Sequence, residues 1–179
     1  MKREDRMSGA DQQDGQLFSL EKIVKEQQSM VYSLAFHFLH DSGEAEELAQ
    51  EVFLKLSGCL SQIESSQHLV FWLRKVTSNL CIDWTRRRKS SRQVAIDDLE
   101  NIEISDREAD FLQSRRLQRL VASLPEKQRL MITLRYQEDL EPKEIAEILE
   151  MPVNTVKSQL QRAIALLRDK FQVLEKTVV

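Results

Sequence analysis

The stretch LPEKQRLMITLRYQEDLEPKEIAEILEMPVNTVKSQLQRAIALLRDKF, Leu124 to Phe171, decides the fold, because all three prolines of the chain fall in it. Pro125, Pro142 and Pro152 each stand just ahead of a run with helical periodicity. A proline in the first turn of a helix forfeits no intrahelical bond, so each reads as a start signal. The spacing predicts three helices in tandem, the last two short and then long, with little more than Glu150, Met151 and Pro152 between them. In the short one, Lys143 to Leu149, the residues Ile145, Ala146 and Leu149 brace Val156 of the long one, and small Ala146 permits a close crossing. Asn154 is expected to cap free N–H groups at the start of the long helix. Thr155, Lys157, Ser158, Gln159 and Arg162 face away from Val156, Leu160, Ala163 and Leu167, with no acid between Val153 and Arg168. An ordinary amphipathic helix would explain the stripe alone. Brace, turn and acid-free outer face together predict a helix-turn-helix suited to the DNA major groove.

Outward from that module the chain reads as all-α, two small helical domains joined by an acidic linker. Its 179 residues suffice for such a pair. Residues 1–16 are polar and aperiodic and are expected to form a flexible tail. Residues 17–92 are expected to form the N-terminal helical domain. Leu20, Ile23, Val24, Val31, Leu34, Ala35 and Phe38 keep a 3.6-residue rhythm over one long helix or two abutting ones, ending near Asp41 to Gly43. A second helix is expected from about Glu44 to Leu56, a Ser-rich loop over residues 58–67, and a third helix from near Gln67 past Trp84. From Asp97 to Asp110 seven acidic residues stand against one Arg, which marks residues 93–110 as the linker. Residues 111–179 are the C-terminal domain, with an extra helix over about 110–123.

Composition excludes several classes. No charge-free apolar run reaches the roughly 18 residues that span a bilayer, and the N-terminus lacks a secretory signal, so a cytoplasmic protein without direct membrane insertion is expected. Cys59 and Cys81 form no C-x-x-C pair and read as reduced thiols. His37 and His40 lie three apart on a helix without further ligands at metal spacing, so no metal and no cofactor is expected. Residues 111–179 carry 12 Lys/Arg against 9 Asp/Glu, whereas residues 1–110 carry 14 against 20. That is a small excess for a stand-alone DNA binder, because phosphate neutralisation supplies most of such affinity. The chain is therefore expected to need help in holding DNA.

Two further constellations lie upstream. Between Trp84 and Arg92 stand Arg86, Arg87, Arg88, Lys89 and Arg92 with no acid, a cluster that wraps a helix end and suits a phosphate backbone. Favourable dipole charge at a helix C-terminus accounts for one or two of these cations, hardly five. On the same helix Trp72 reads as core, Asn79 as suited to a base edge, and Asp83 lies beside them. Glu44, Glu46, Glu47 and Glu51 crowd one helix without a nucleophile, metal set or phosphate loop nearby. No catalysis is expected from them, and with Gln50 and Leu54 they suit a basic partner helix.

In this order the motifs resemble the compact, extracytoplasmic-function class of bacterial RNA polymerase sigma factors. Glu44 to Leu56 is similar to that family's polymerase-binding helix, and Trp72 to Asn79 with Asp83 and the Arg run to its promoter-melting helix. Leu124 to Arg129, Glu144 to Leu149 and Thr155 to Ser158 are similar to its upstream promoter reader. The resemblance implies partners: core RNA polymerase, promoter DNA, and an anti-sigma protein that would occlude the DNA-binding faces. It implies that Glu47, Gln50, Glu51 and Leu54 dock on the polymerase clamp. Asn79 would contact an unstacked base of the −10 element, with Asp83 beside it and Arg86, Arg87, Arg88 and Lys89 on adjoining phosphates. Asn154, Thr155, Lys157, Ser158, Gln159 and Arg162 would serve the −35 element.

The chain departs from the family at defined places. Ile63, Glu64 and Ser65 replace an aromatic-Arg-Gly sequence, Glu150 replaces a turn glycine, and Gln159, Gln161 and Ile164 stand where Arg, His and Arg are common. Each lost phosphate contact flattens the salt dependence by roughly 0.9 log units per log unit of salt, so weak upstream-element binding in isolation is expected. Eighteen linker residues reach roughly 60 Å extended but about 24 Å as a free coil. Two promoter boxes more than one DNA turn of about 34 Å apart therefore require a stretched linker held by the polymerase. The competing readings are a stand-alone helix-turn-helix regulator and, more remotely, a metal-dependent hydrolase using His37 and His40.

Overall fold

The computed structural model describes residues 19–91 and 116–177, with the side chains of all but 89–91 and 173–177. The expected tail and acidic linker lie outside the described residues. The periodic stripe of the first segment forms one helix, α1 (Leu20–Leu39), which buries Ile23, Val31, Leu34, Ala35 and Phe38. His40 stops it in the left-handed region at φ 57°, its N–H donating to the Phe36 carbonyl at 2.8 Å. Asp41 then caps α2 (Ser42–Cys59) by accepting the Glu44 N–H at 3.0 Å. The chain reverses there in two residues, so α1 and α2 pack side by side. Helix α2 is longer at both ends than its apolar stripe predicted; at its start Asp41 supplies the cap ahead of the stripe.

The Ser-rich segment is shorter than expected. A 3₁₀ turn (Leu60–Gln62) follows α2 directly, and Ser65 starts α3 (Ser66–Ser91) by accepting the His68 N–H at 3.1 Å. Leu69, Leu73, Leu80 and Cys81 of α3 complete the core with Ala45, Leu48, Val52 and Leu56 of α2. Thr77 is fully buried, and its hydroxyl is satisfied by the Leu73 carbonyl at 2.7 Å.

In the C-terminal half, α4 (116–122) leads through Pro125 into α5 (Glu126–Tyr136), α6 (Pro142–Ile148) and α7 (Val153–Thr177). Pro142 is the first residue of α6, and Glu141 and Glu144 form a reciprocal capping box. Pro152 directly precedes α7, its carbonyl accepting from Thr155 and Val156. Asn154 is thus inside the first turn rather than at the cap, since Pro152 and Val153 already open the helix. Lys170 of α7 ties back to the Ser123 hydroxyl at 2.6 Å.

Helix α5 shows how the halves relate. Leu130, Met131, Ile132, Thr133 and Leu134 are buried in succession, which one face of a helix cannot achieve. The helix is covered on two sides: Gln128 reaches Gln159 of α7 at 2.9 Å, while the Arg129 guanidinium lies 4.5 Å from the centre of the Phe38 ring on α1. One hydrophobic core runs through both halves.

Candidate polymerase and promoter surfaces

Three surfaces gather the residues singled out above. The first is an apolar groove of about 790 Å³ between α1 and α2, walled by Leu20, Val24 and Tyr32 on one side and Ala49, Phe53 and Leu54 on the other. Leu20 and Val24 are half-buried and line this groove, although their place in the α1 stripe predicted core. Leu54 is 72 % exposed, the most exposed large apolar side chain described. Gln50 and Glu46 edge the groove, Glu47 is exposed on the same helix, and Glu51 pairs with Lys55 at 3.5 Å. A rim of carboxylates around apolar walls suits a helix that carries both apolar and basic side chains.

The second surface is the outer side of α3. Asn79, Asp83 and Arg86 are exposed and line a cleft of about 340 Å³. Asp83 and Arg86 approach to 4.0 Å one turn apart. Arg87 is exposed as well, while Arg88 turns inward and pairs with Glu44 at 2.8 Å. Glu44 thereby fastens the start of α2 to the end of α3 instead of joining the outer acidic face. The side chain of Lys89 lies outside the described residues. Ile63 is buried, while Glu64 and Ser65 are exposed, the Ser65 hydroxyl being occupied as the cap of α3; of the three residues that replace the aromatic-Arg-Gly sequence, only Glu64 offers a free side chain end at the surface. Trp72 is half-buried against the core.

The third surface is the outer face of α7. Asn154, Lys157 and Arg162 are exposed. Thr155, Ser158 and Gln159 are half-buried, against the expectation that all project outward. The Ser158 hydroxyl donates to the Thr155 carbonyl at 2.9 Å, and Gln159 accepts from Gln128. The reason is the crossing of α5, which covers the flank of α7.

Arg74, Lys75 and Glu138, which sequence reasoning passed over, stand where the halves meet, together with Glu150. Arg74 Nε lies 3.3 Å from the Glu138 carboxylate, and Lys75 Nζ lies 2.6 Å from that of Glu150. Glu138 is nearly buried, and desolvation raises its pKa more than Arg74 lowers it. Glu150 is held below the usual carboxylate range by the hydrogen bond and charge of Lys75. Burial, then the charges of Arg129 and His37, lower the pKa of His40, whose Nε2 has no hydrogen-bond partner. Burial also pushes the Cys81 thiol far up. Around His37 and His40 no third ligand gathers; among the described residues no group of three His, Cys, Asp or Glu could hold a metal ion.

A three-helix module is followed by a helix-turn-helix module, the second of a class that binds DNA. Residues 23–91 match the family model for sigma-70 region 2, and residues 114–167 match that for sigma-70 region 4. The chain belongs to the extracytoplasmic-function (ECF) RNA polymerase sigma factors. It is 32 % identical to the ECF RNA polymerase sigma-E factor of Escherichia coli over 90 % of each chain. It is 33 % identical to RNA polymerase sigma factor SigV of Bacillus subtilis over 76 % of this chain and 81 % of that one. Its fold is similar to that of the sigma factor RpoE of Bartonella quintana, solved in complex with the anti-sigma factor NepR. There the TM-score is 0.66 at 21 % identity, covering 86 % of this chain and 96 % of the other. As a sigma factor, the chain binds core RNA polymerase and recognises promoter DNA.

Proposed function

We propose that residues 17–92 bind core polymerase and melt the −10 element, that residues 111–179 read the −35 element, and that residues 93–110 link the two. The polymerase would dock along the groove between α1 and α2, with Leu54 as the apolar anchor and Glu47, Gln50 and Glu51 around it. The single observation that carries this reading is the exposure of Leu54 beside an open apolar groove, since a contiguous exposed apolar patch rimmed by polar residues marks an interaction surface. Asn79 and Asp83 would meet the unstacked −10 strand, with Arg86 and Arg87 on its phosphates and Arg88 bracing the helix through Glu44. Asn154, Lys157 and Arg162 would face the −35 phosphates and bases, while Thr155, Ser158 and Gln159 set the position of α7.

The protein would work in the cytoplasm, where the polymerase is; among the described residues no helix is long and apolar enough to cross a membrane. An anti-sigma protein is proposed as a further partner, supported by the likeness to a sigma factor solved with one. Run-off transcription with bacterial core polymerase on genomic promoter fragments tests the reading. Discrete transcripts that depend on the chain are expected. Core binding that is absent while the folded chain still binds DNA would instead favour a stand-alone regulator.

A further inference from the structure

A cavity of about 580 Å³ lies between the end of α3 and the turn from α4 to α5, within the size range of small-molecule sites. Thr85 and Arg88 of α3 line it, with Ala122, Ser123, Leu124 and Pro125 of the turn and Arg129 of α5. Among the described residues no carboxylate lines it, yet two guanidiniums do.

Both guanidiniums are fixed by contacts that leave donors to spare. Glu44 holds Arg88 through one terminal nitrogen at 2.8 Å, and a guanidinium has five N–H donors. Arg129 is half-buried and lies over the Phe38 ring at 4.5 Å, a contact that engages the face of the group and not its in-plane donors. Its Nε is buried without a hydrogen-bond partner. Burial lowers the pKa of Arg129 and the charge of Arg88 lowers it further, against the pull of Glu126 and Cys81. Two like charges thus face a shared space in a partly desolvated place, an arrangement that an anion between them would relieve. Lys170 brings a third cation to the rim, where its ammonium meets the Ser123 hydroxyl at 2.6 Å. The acids in reach are Glu44, already engaged with Arg88, and Glu126 in the first turn of α5.

We propose that this cavity binds the phosphate group of a small phosphorylated molecule, with Arg88 and Arg129 as its clamp. Guanidinium forks match phosphate oxygens in geometry as well as charge. The apolar side chains of Leu124 and Pro125 supply a wall for the rest of such a ligand. A compact anion suits the place better than a DNA strand does: the cations offered to promoter phosphates, Arg86 and Arg87, are exposed, whereas Arg129 is withdrawn between the modules. No polymerase or promoter contact proposed above uses Arg129, so the site is additional to them.

The test uses the full chain and inorganic pyrophosphate as the probe, with potassium chloride at matched ionic strength as the control. Calorimetry is expected to show one pyrophosphate per chain, and the urea midpoint to rise with saturation. Arg129→Gln should abolish both responses. Because that change also removes the contact with Phe38, a second variant is placed at Ala122, which is exposed on the lip of the cavity. Ala122→Glu sets a carboxylate at the mouth and should weaken binding about tenfold or more, while Ala122→Gln, of the same size without the charge, should bind as wild type does. A midpoint that rises no more than in potassium chloride overturns the site, as does an Ala122→Glu chain with wild-type affinity. Equal losses in the Glu and Gln variants would show that the cavity does not read charge, and overturn the phosphate assignment. Displacement of the bound pyrophosphate by a short single-stranded oligonucleotide would make the cavity part of the promoter surface, and overturn a separate small-molecule site. None of these readouts involves polymerase, so the sigma-factor residue assignments stand or fall by run-off transcription alone.

Discussion

The two faces of the N-terminal module are finished differently. The groove between α1 and α2 stands open, with Leu54 72 % exposed, whereas the α3 face one element away is covered by the C-terminal module. Both surfaces are of the kind that binds something. The open one is apolar with an acidic rim, so it cannot be satisfied by a C-terminal module whose turns are themselves acidic, at Glu138, Asp139, Glu141 and Glu150. The covered one carries Arg74 and Lys75, and those turns fit it. Charge complementarity at these turns acts together with the shared apolar core, and the groove between α1 and α2 stays accessible.

Two leucines set the limits of that comparison. Leu134 is fully buried in α5, the helix both halves share. Leu134→Ala should cost about 3 kcal/mol, by lost transfer energy and the cavity left behind, and urea unfolding should show it as one lowered transition. Two separated transitions in the wild type would show that the halves do not share a core. Leu54→Glu should do the reverse: unfolding unchanged within about 0.5 kcal/mol, and core-polymerase affinity reduced by about 2 kcal/mol or more, as pull-down or fluorescence titration would report. A variant that keeps wild-type affinity for core would remove the groove from the docking surface.

Much of this was legible in the chain. Each proline opens a helix as expected, and the periodic stripes of α1 to α3 correspond to the buried sets, because periodicity reports burial on one face. The contact between the two halves was not legible. Arg74 and Glu138 are 64 positions apart and Lys75 and Glu150 are 75 apart, and no local pattern reports pairing at such range. One signal was present: Leu130 to Leu134 is an unbroken, nearly apolar run in a helix, which demands cover on more than one side. Glu150 in place of glycine was also visible, but its meaning needed Lys75 opposite. On the open side, Leu20 and Val24 share the rhythm of the core and yet line the groove, since periodicity cannot distinguish a face buried now from one awaiting a partner.

A smaller effect separates bracing from DNA contact at the basic end of α3. Arg88 and Glu44 are each about two-thirds buried or more and meet at 2.8 Å. Arg88→Ala should therefore cost about 1 kcal/mol of stability, and a double-mutant cycle with Glu44→Gln should return most of it as coupling. Arg86→Ala, at an exposed site, should leave unfolding unchanged and weaken promoter binding only. Zero coupling between positions 44 and 88 would return Arg88 to the phosphate-binding set.

The smallest effect concerns pH at the junction of the modules. His40 is kept neutral in the folded chain by burial first, then by Arg129 and His37, so its pKa lies below 6.5. The unfolded state then binds the proton more tightly, and the stability due to His40 is present above about pH 6.5 and lost as pH falls below it. Glu138 acts in the opposite sense: its raised pKa means that the folded state gains its proton first, and acidification relieves that burial. The wild-type profile contains both, so the informative quantity is a difference. His40→Asn keeps a residue tolerant of the left-handed turn while removing the titration. Between pH 7.5 and 5.5 the wild type should lose more stability than this variant, read as a larger fall in urea midpoint at matched slopes. Equal losses would mean that His40 is as readily protonated in the folded chain as in the unfolded one, and that the contact between Arg129 and α1 exerts no electrostatic pressure on the helix end.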